Sequence, residues 1–301
     1  MSVTSGKVLV SGSSGLVGSA LLPRLAANGW PVTRLIHRSP AGPGQISWDP
    51  SRAIPPESVS GFDAVIHLAG ETIAERWTEP KKRAIRDSRV VGTSNIAEAL
   101  AQAAKRPALL VAASAIGYYG DRGDEVLNEE SSGGQGFLAE VCREWEAATQ
   151  AAAKAGIRTA MVRFGIVLST SGGALAKMLP PFRLGMGGRM GSGGQWWSWV
   201  ALDDVVGAIE HVMKTNALAG PVNVVSPSPV TNREFTSSLA SALSRPAIFP
   251  MPAFAARLAL GQMADELLLA SQRVEPAKLR GSGYRFRRPD LGPALAAILR
   301  K

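Results

Sequence analysis

Gly12, Gly15 and Gly18 follow the apolar run Val8-Leu9-Val10 and interleave with the start of a helical pattern, Leu16-Val17, Leu21-Leu22 and Leu25. A strand, a tight turn and a helix in that order can hold an anion. Gly12 turns where a side chain would clash, Gly15 lets backbone approach phosphate oxygens, and Gly18 lets the helix pack closely on the sheet. The first helical turn adds free N–H groups and a partial positive charge. The expected ligand is a dinucleotide pyrophosphate. The alternative is an ordinary strand-to-helix turn in a chain with 32 glycines.

A second strand is expected over Val32–Arg38, ending on a cation about twenty residues beyond Gly18, where an NAD site presents a carboxylate to the ribose hydroxyls. A carboxylate there would repel a 2'-phosphate and a guanidinium attracts it. Arg38 therefore points to NADP(H), with Arg34 as a second basic candidate on the same side of the strand.

These groups need a sheet to hold them. At 301 residues and 46% hydrophobic, the chain can bury one large core with a smaller lobe attached. Strands are expected around Ile46–Trp48, Ala64–Gly70, Leu109–Ser114, Thr159–Arg163 and Val222–Val225, and helices through Arg89 to Leu100, over 137–153, over Val205–Met213 and near 233–243, 252–271 and the C-terminus. Their alternation predicts an α/β fold: a Rossmann-like, mostly parallel sheet with a smaller, mixed, mainly helical substrate lobe. The boundaries read as 1–168 for the dinucleotide-binding region, 169–230 for an interleaved substrate loop and returning sheet elements, and 231–301 for a C-terminal helical region. Asp203 or Asp204 is expected to cap the helix that follows.

Glycine-rich residues 185–194 suggest a mobile or tightly folded loop near substrate, with Arg189 available to an anionic group. The loop runs into Trp196, Trp197 and Trp199. Trp197 and Trp199 form either an apolar wall of the substrate site or part of the domain core. The lone Cys142 excludes an intrachain disulfide, and with three histidines it offers poor material for a metal site. The net charge of +9 is divided among separate basic clusters without a nucleic-acid reading module, so a phosphorylated ligand is the simpler explanation. No secretory signal and no membrane span is visible, which predicts a cytoplasmic protein. Oligomeric state is left open.

The chain resembles the atypical extended short-chain dehydrogenase/reductases, specifically an epimerase-like, NADP-binding oxidoreductase family with a small C-terminal domain. The marks of the resemblance are Ser11-Gly12-Ser13-Ser14-Gly15-Leu16-Val17-Gly18, His67-Leu68-Ala69-Gly70-Glu71, Ser114-Ala115-Ile116-Gly117-Tyr118-Tyr119-Gly120, Arg163-Phe164-Gly165 and Glu266-Leu267-Leu268-Leu269. It implies that Gly12, Ser13, Ser14, Gly15, Leu16 and Val17 surround the pyrophosphate and that Arg38 meets the adenosine phosphate. Leu68, Ala69, Gly70 and Glu71 would line the middle of the cofactor, with Arg163 also on the cofactor side.

Ordinary members of that superfamily pair a serine with Tyr-x-x-x-Lys. Ser114 matches the serine, but with Glu146 as register marker Leu138 takes the tyrosine position and Cys142 the lysine position. Neither supports the usual proton transfer. Tyr118, Tyr119 and Glu71 remain as candidates to handle the proton; packing is the alternative for the tyrosines, and an ion pair with Arg76 or Arg89 for Glu71. Relatives acting on nucleotide sugars carry an arginine after the glutamine of the segment that reads Gln195-Trp196-Trp197 here, which weighs against simple transfer of that specificity. The leading expectation is an NADP(H)-dependent oxidoreductase on a small or partly aromatic carbonyl or alcohol. The alternatives are a nucleotide-sugar epimerase-like enzyme and a catalytically weak NADP(H)-binding sensor or interaction protein.

Overall fold

The computed structural model describes residues 6–37 and 42–300. The first half runs β1 (Val8–Ser11), α1 (Leu16–Ala27), β2 (Val32–Ile36), β3 (Gln45–Ser47), β4 (Ala64–His67), α2 (Glu79–Gln102), β5 (Leu109–Ala115), β6 (Val126–Leu127), α3 (Phe137–Ala147) and α4 (Gln150–Lys154). It continues through β7 (Arg158–Phe164), β8 (Ile166–Leu168), α5 (Gly173–Arg183), β9 (Trp196–Trp197), β10 (Trp199–Ala201), α6 (Leu202–Lys214), β11 (Gly220–Val224), β12 (Val230–Thr231), α7 (Asn232–Leu243), α8 (Ala253–Leu260), β13 (Arg273–Val274), α9 (Ala277–Gly281) and α10 (Leu291–Leu299).

Seven parallel strands form the main sheet in the order β11-β7-β5-β4-β1-β2-β3. Strand order reverses between β1 and β4, and in open α/β sheets the crevice beyond the strand ends at such a point receives the ligand. Side chains alternate between the two faces with period two. Val8, Val10, Ala64, Ile66, Leu109 and Val111 pack with α1 and α6. Leu9, Val65 and Leu110 pack with α2 and α4 on the other face. A third cluster, built on α5, α7, α10 and the strands around Trp197 and Trp199, makes the smaller lobe.

Three local expectations are corrected. The 137–153 helix breaks at Ala148 and Thr149, where the Thr149 hydroxyl donates to the Glu146 carbonyl at 2.7 Å. The 252–271 helix stops at Gly261, which takes φ +62°, and resumes as a π-helical turn over Ala264–Leu269. Ala201, not an aspartate, occupies the N-cap of α6. Asp204 is fully buried and instead accepts the backbone N–H groups of Arg287 and Arg288 at 2.7 and 2.9 Å, tying the tail to α6.

Candidate functional site

The β1–α1 turn is built from backbone. Gly12 has φ +65°, and a Cβ there would stand 2.5 Å from the Leu68 carbonyl carbon and 2.6 Å from the Ala69 nitrogen. A Cβ on Gly18 would stand 2.2 Å from the Gly12 oxygen, so helix and turn touch with no room for a side chain. Gly15 is the N-cap of α1 and supplies no capping side chain, which leaves the first-turn N–H groups for an external anion. Ser14 and Gly15 are exposed, Leu16 and Val17 half-buried, and Ser13 buried. Arg34 Nε donates to Ser13 Oγ at 3.3 Å, bringing a guanidinium to the edge of the turn. Arg38 lies outside the described residues. The cradle fits a phosphate-bearing group: it is narrow, glycine-lined and flanked by a cation.

Beneath it runs a buried polar chain. Trp145 Nε1 donates to Thr93 Oγ1 at 2.9 Å, Thr93 Oγ1 meets His67 Nε2 at 3.1 Å, and His67 Nδ1 meets Ser11 Oγ at 2.6 Å. Complete desolvation drives the His67 pKa down to about 4, so the ring is neutral at physiological pH. The chain links β1, β4, α2 and α3 at the strand ends where the sheet order reverses.

Leu68, Ala69 and Gly70 continue from β4 along that crevice. Behind Gly70 lies Arg89, a residue to which the sequence reading gave only an ion-pairing role. Its guanidinium atoms stand 3.4–3.6 Å from where a Gly70 Cβ would be, and they donate to the carbonyls of Ile85 and Glu71, each at 3.0 Å. The guanidinium also lies over the Trp145 ring at 5.0 Å. Glu71 does form an ion pair, but with Lys81 at 2.7 Å rather than with Arg76 or Arg89. The hydrogen bond from Lys81 holds the Glu71 carboxyl below the usual carboxylate range, which disfavours it as a base.

The polar groups at β5 and α3 are bonded to one another. Ser114 shares strand parity with Leu110 and points to the α3 side, where it is buried and donates to Glu146 Oε1 at 2.7 Å. Arg163 Nε and Nη2 grip the same carboxylate, both at 2.7 Å, and Nη1 donates to the Tyr119 hydroxyl at 2.9 Å. That hydroxyl is shared with Asn223 Oδ1 at 2.8 Å and the Asn128 carbonyl at 2.9 Å, and burial pushes the Tyr119 pKa up. Ser114, Tyr119 and Arg163 are therefore bound into an internal network. The reason is that a buried guanidinium and carboxylate must each find partners, and these side chains are those partners. Tyr118 is half-buried with its ring 3.5 Å from the Arg163 guanidinium carbon.

Leu138 and Cys142 leave the helix without a proton carrier. Burial drives the Cys142 thiol up to about 12, so it is neither a nucleophile nor a substitute for lysine. Leu138 lines a cavity of about 230 Å³ together with Gly117 and residues of the C-terminal region. Neither tyrosine is among the residues lining that cavity.

The tryptophan wall is also corrected. Trp197 and Trp199 are 3% and 0% exposed, pack with Phe235 and Leu239, and donate their indole N–H groups to the carbonyls of Leu268 and Ser228. Large apolar rings gain most by leaving water altogether, so they close the smaller lobe instead of lining a cleft. The glycine-rich loop is tightly folded. Met186 and Met190 bridge to Ala247 and Met251, and a Cβ on Gly188 would lie 1.9 Å from the Phe249 oxygen. Arg189 is exposed and lines a separate groove with Arg233, Thr236 and Ser237.

Comparison with known proteins agrees with this geometry. The family model described as NAD dependent epimerase/dehydratase family matches residues 8–225, and a domain of unknown function, DUF1731, matches residues 251–298. Epimerase family protein Mb2239 of Mycobacterium bovis is 43% identical over 290 residues, covering 96% of each chain. The crystal structure of human epimerase family protein SDR39U1 (isoform2) with NADPH superposes with a TM-score of 0.90 at 35% identity, covering 98% of this chain and 99% of that one. A nucleoside-diphosphate sugar epimerase from Corynebacterium glutamicum superposes with a TM-score of 0.82 at 39% identity; the match covers 98% of this chain and 58% of that one.

Proposed function

Because this chain belongs to the NAD dependent epimerase/dehydratase family, we propose that it is an NADP(H)-dependent oxidoreductase of the epimerase type, exchanging hydride reversibly at a hydroxyl-bearing carbon of a sugar-like substrate. The observation that carries the reading is the glycine cradle at the mouth of α1, where backbone packs too closely at Gly12 and Gly18 to admit a side chain and the first-turn N–H groups have no side-chain cap. The NADPH in the human relative supports the choice of cofactor, and the description of the Corynebacterium relative supports sugar chemistry. Burial of Trp197 and Trp199 removes the reason for preferring an aromatic substrate.

In this reading the first-turn N–H groups of α1 hold the pyrophosphate, while Arg34 and Arg38 attract the adenosine phosphate. The backbone of Leu68 to Gly70 lies along the middle of the cofactor. Arg89, behind Gly70, supplies from α2 the positive charge that Cys142 cannot supply from α3. When bound, the nicotinamide ring accepts and returns hydride. With Leu138 at the tyrosine position, the proton of the substrate oxygen is carried by water. That same loss of the tyrosine and lysine favours a second reading, a sensor that binds NADP(H) and turns over little.

Titration with NADPH and NADH, followed by nicotinamide fluorescence, tests the cofactor assignment. Arg34→Ala and Arg38→Ala should each weaken NADPH about tenfold and leave NADH unchanged. An unaltered preference in both variants would defeat the phosphate assignment. Substrate-dependent loss of deuterium from 4-deuterated NADPH would establish the enzyme; tight binding without exchange would establish the sensor.

A further inference from the structure

The cavity beside Leu138 is walled largely by the region of unknown function: Arg257, Asp265, Glu266, Leu269, Ala270 and Gln272 all lie in the 251–298 match. Glu266 reaches across to the start of α3. Its carboxylate accepts the N–H of Phe137 at 3.1 Å, that of Leu138 at 2.7 Å and the Gln262 side chain at 2.7 Å. A glutamate from the C-terminal region is thereby fixed on the residue that replaces the family's tyrosine.

Resting on the proposed function, we infer that this wall selects the substrate, and that the substrate class is a small, unphosphorylated polyol or free sugar. Size is the first argument. About 230 Å³ falls below the ~300–1,000 Å³ of sites that enclose drug-sized ligands, too small for a nucleotide sugar and adequate for a single sugar unit. Charge is the second. The lining carries three carboxylates, Asp121, Asp265 and Glu266, against one guanidinium, Arg257. Arg257 Nε is committed to Asp265 at 2.7 Å. In a chain of net charge +9, this pocket is locally acidic and repels a diphosphate. Two basic side chains able to hold one, Arg189 and Arg233, line a different groove.

Donor and acceptor chemistry is the third argument. Gln272 Nε2 is spent on the Gly120 carbonyl at 3.1 Å, so a polar donor of the wall is used internally. An ionised carboxylate accepts and never donates, so it takes substrate hydroxyls. Leu138, Leu269 and Ala270 offer apolar surface for the C–H face of a sugar ring. Glu266 is held rigid by three hydrogen bonds, two on Oε1 and one on Oε2, and the lone pair left on Oε2 makes it the orienting acceptor of the wall.

Saturation-transfer NMR on the NADPH-bound protein tests this with D-glucose, sorbitol, glucose 6-phosphate and UDP-glucose. Glucose or sorbitol should bind more tightly than either phosphorylated probe. Glu266→Gln should weaken them about tenfold or more, the cost of losing a charged acceptor. Leu138→Trp, which fills the cavity, should abolish their signals in protein whose thermal transition shows it folded. Tighter binding of UDP-glucose, or polyol signals that survive both substitutions, would overturn the inference. So would the absence of any polyol signal in protein that still binds NADPH. Failure to bind NADPH would instead strike the cofactor reading on which the inference rests.

Discussion

The two ends of the dinucleotide crevice use their residues in opposite ways. At the β1–α1 turn the functional atoms are backbone N–H groups, and the side chains have been cut back to glycine so that Gly12 and Gly18 can touch Leu68 and each other. At β5 and α3 the polar side chains are present, but Glu146, Arg163, Ser114 and Tyr119 saturate one another inside the protein. The comparison teaches that a polar residue in a motif has a free function only if no buried charge claims it first. In the proposed reading the pyrophosphate is held by backbone geometry, which needs no spare side chain. Leu138 has no proton to give, so the usual tyrosine route is closed and in the proposed reading water carries the proton instead.

The largest test of this contrast is Glu146→Gln. Arg163 and Glu146 are nearly buried, and removing one partner of such a pair leaves an uncompensated charge at a cost of about 3–5 kcal/mol. A sharply lowered Tm, with NADPH binding retained below the transition, is expected. A wild-type Tm would show that the network is dispensable and return Ser114 to the list of catalytic groups.

The belt that joins the two ends predicts a pH effect of similar size. His67 has an ordinary pKa near 6.5 in the unfolded chain and about 4 when folded. The unfolded state therefore binds the proton first, and stability falls as pH drops from about 6.5 to 4. The loss is about 3 kcal/mol and stops below the folded value. Urea denaturation across that range should show the slope, and His67→Asn should flatten it; an unchanged slope would place the effect elsewhere.

The smallest of these effects belongs to the cradle. Gly18→Ala puts a methyl group against the Gly12 carbonyl, and overpacking of this kind costs about 1–3 kcal/mol. NADPH affinity should fall with it, since the turn must open to relieve the contact. Fluorescence titration showing wild-type affinity would mean that the turn is not where the pyrophosphate sits.

Much of this was legible in the chain. Glycine spacing, alternation of strands and helices, and the departures at Leu138 and Cys142 are properties of order, and they carried the fold, the glycine-built turn and the missing pair. Strand parity was also readable: Ser114 and Arg163 lie on the face of their strands that meets α3, and the register marker Glu146 sits on that helix. Parity does not reveal which partner a hydroxyl chooses, so the network that joins Ser114, Tyr119, Glu146 and Arg163 has no signal in the sequence. Arg89 lies far along α2, and no spacing rule ties it to Gly70.

The order of residues alone determined the α/β architecture and the anion-binding turn, because both arise from local periodicity and from glycine's freedom where a Cβ cannot fit. Tertiary structure decided which polar groups stay available, because burial forces each charge and hydroxyl to be satisfied by whatever the fold brings near. It also brought Glu266 from the C-terminal region to Leu138, a contact between residues 128 apart in the chain that no local pattern encodes.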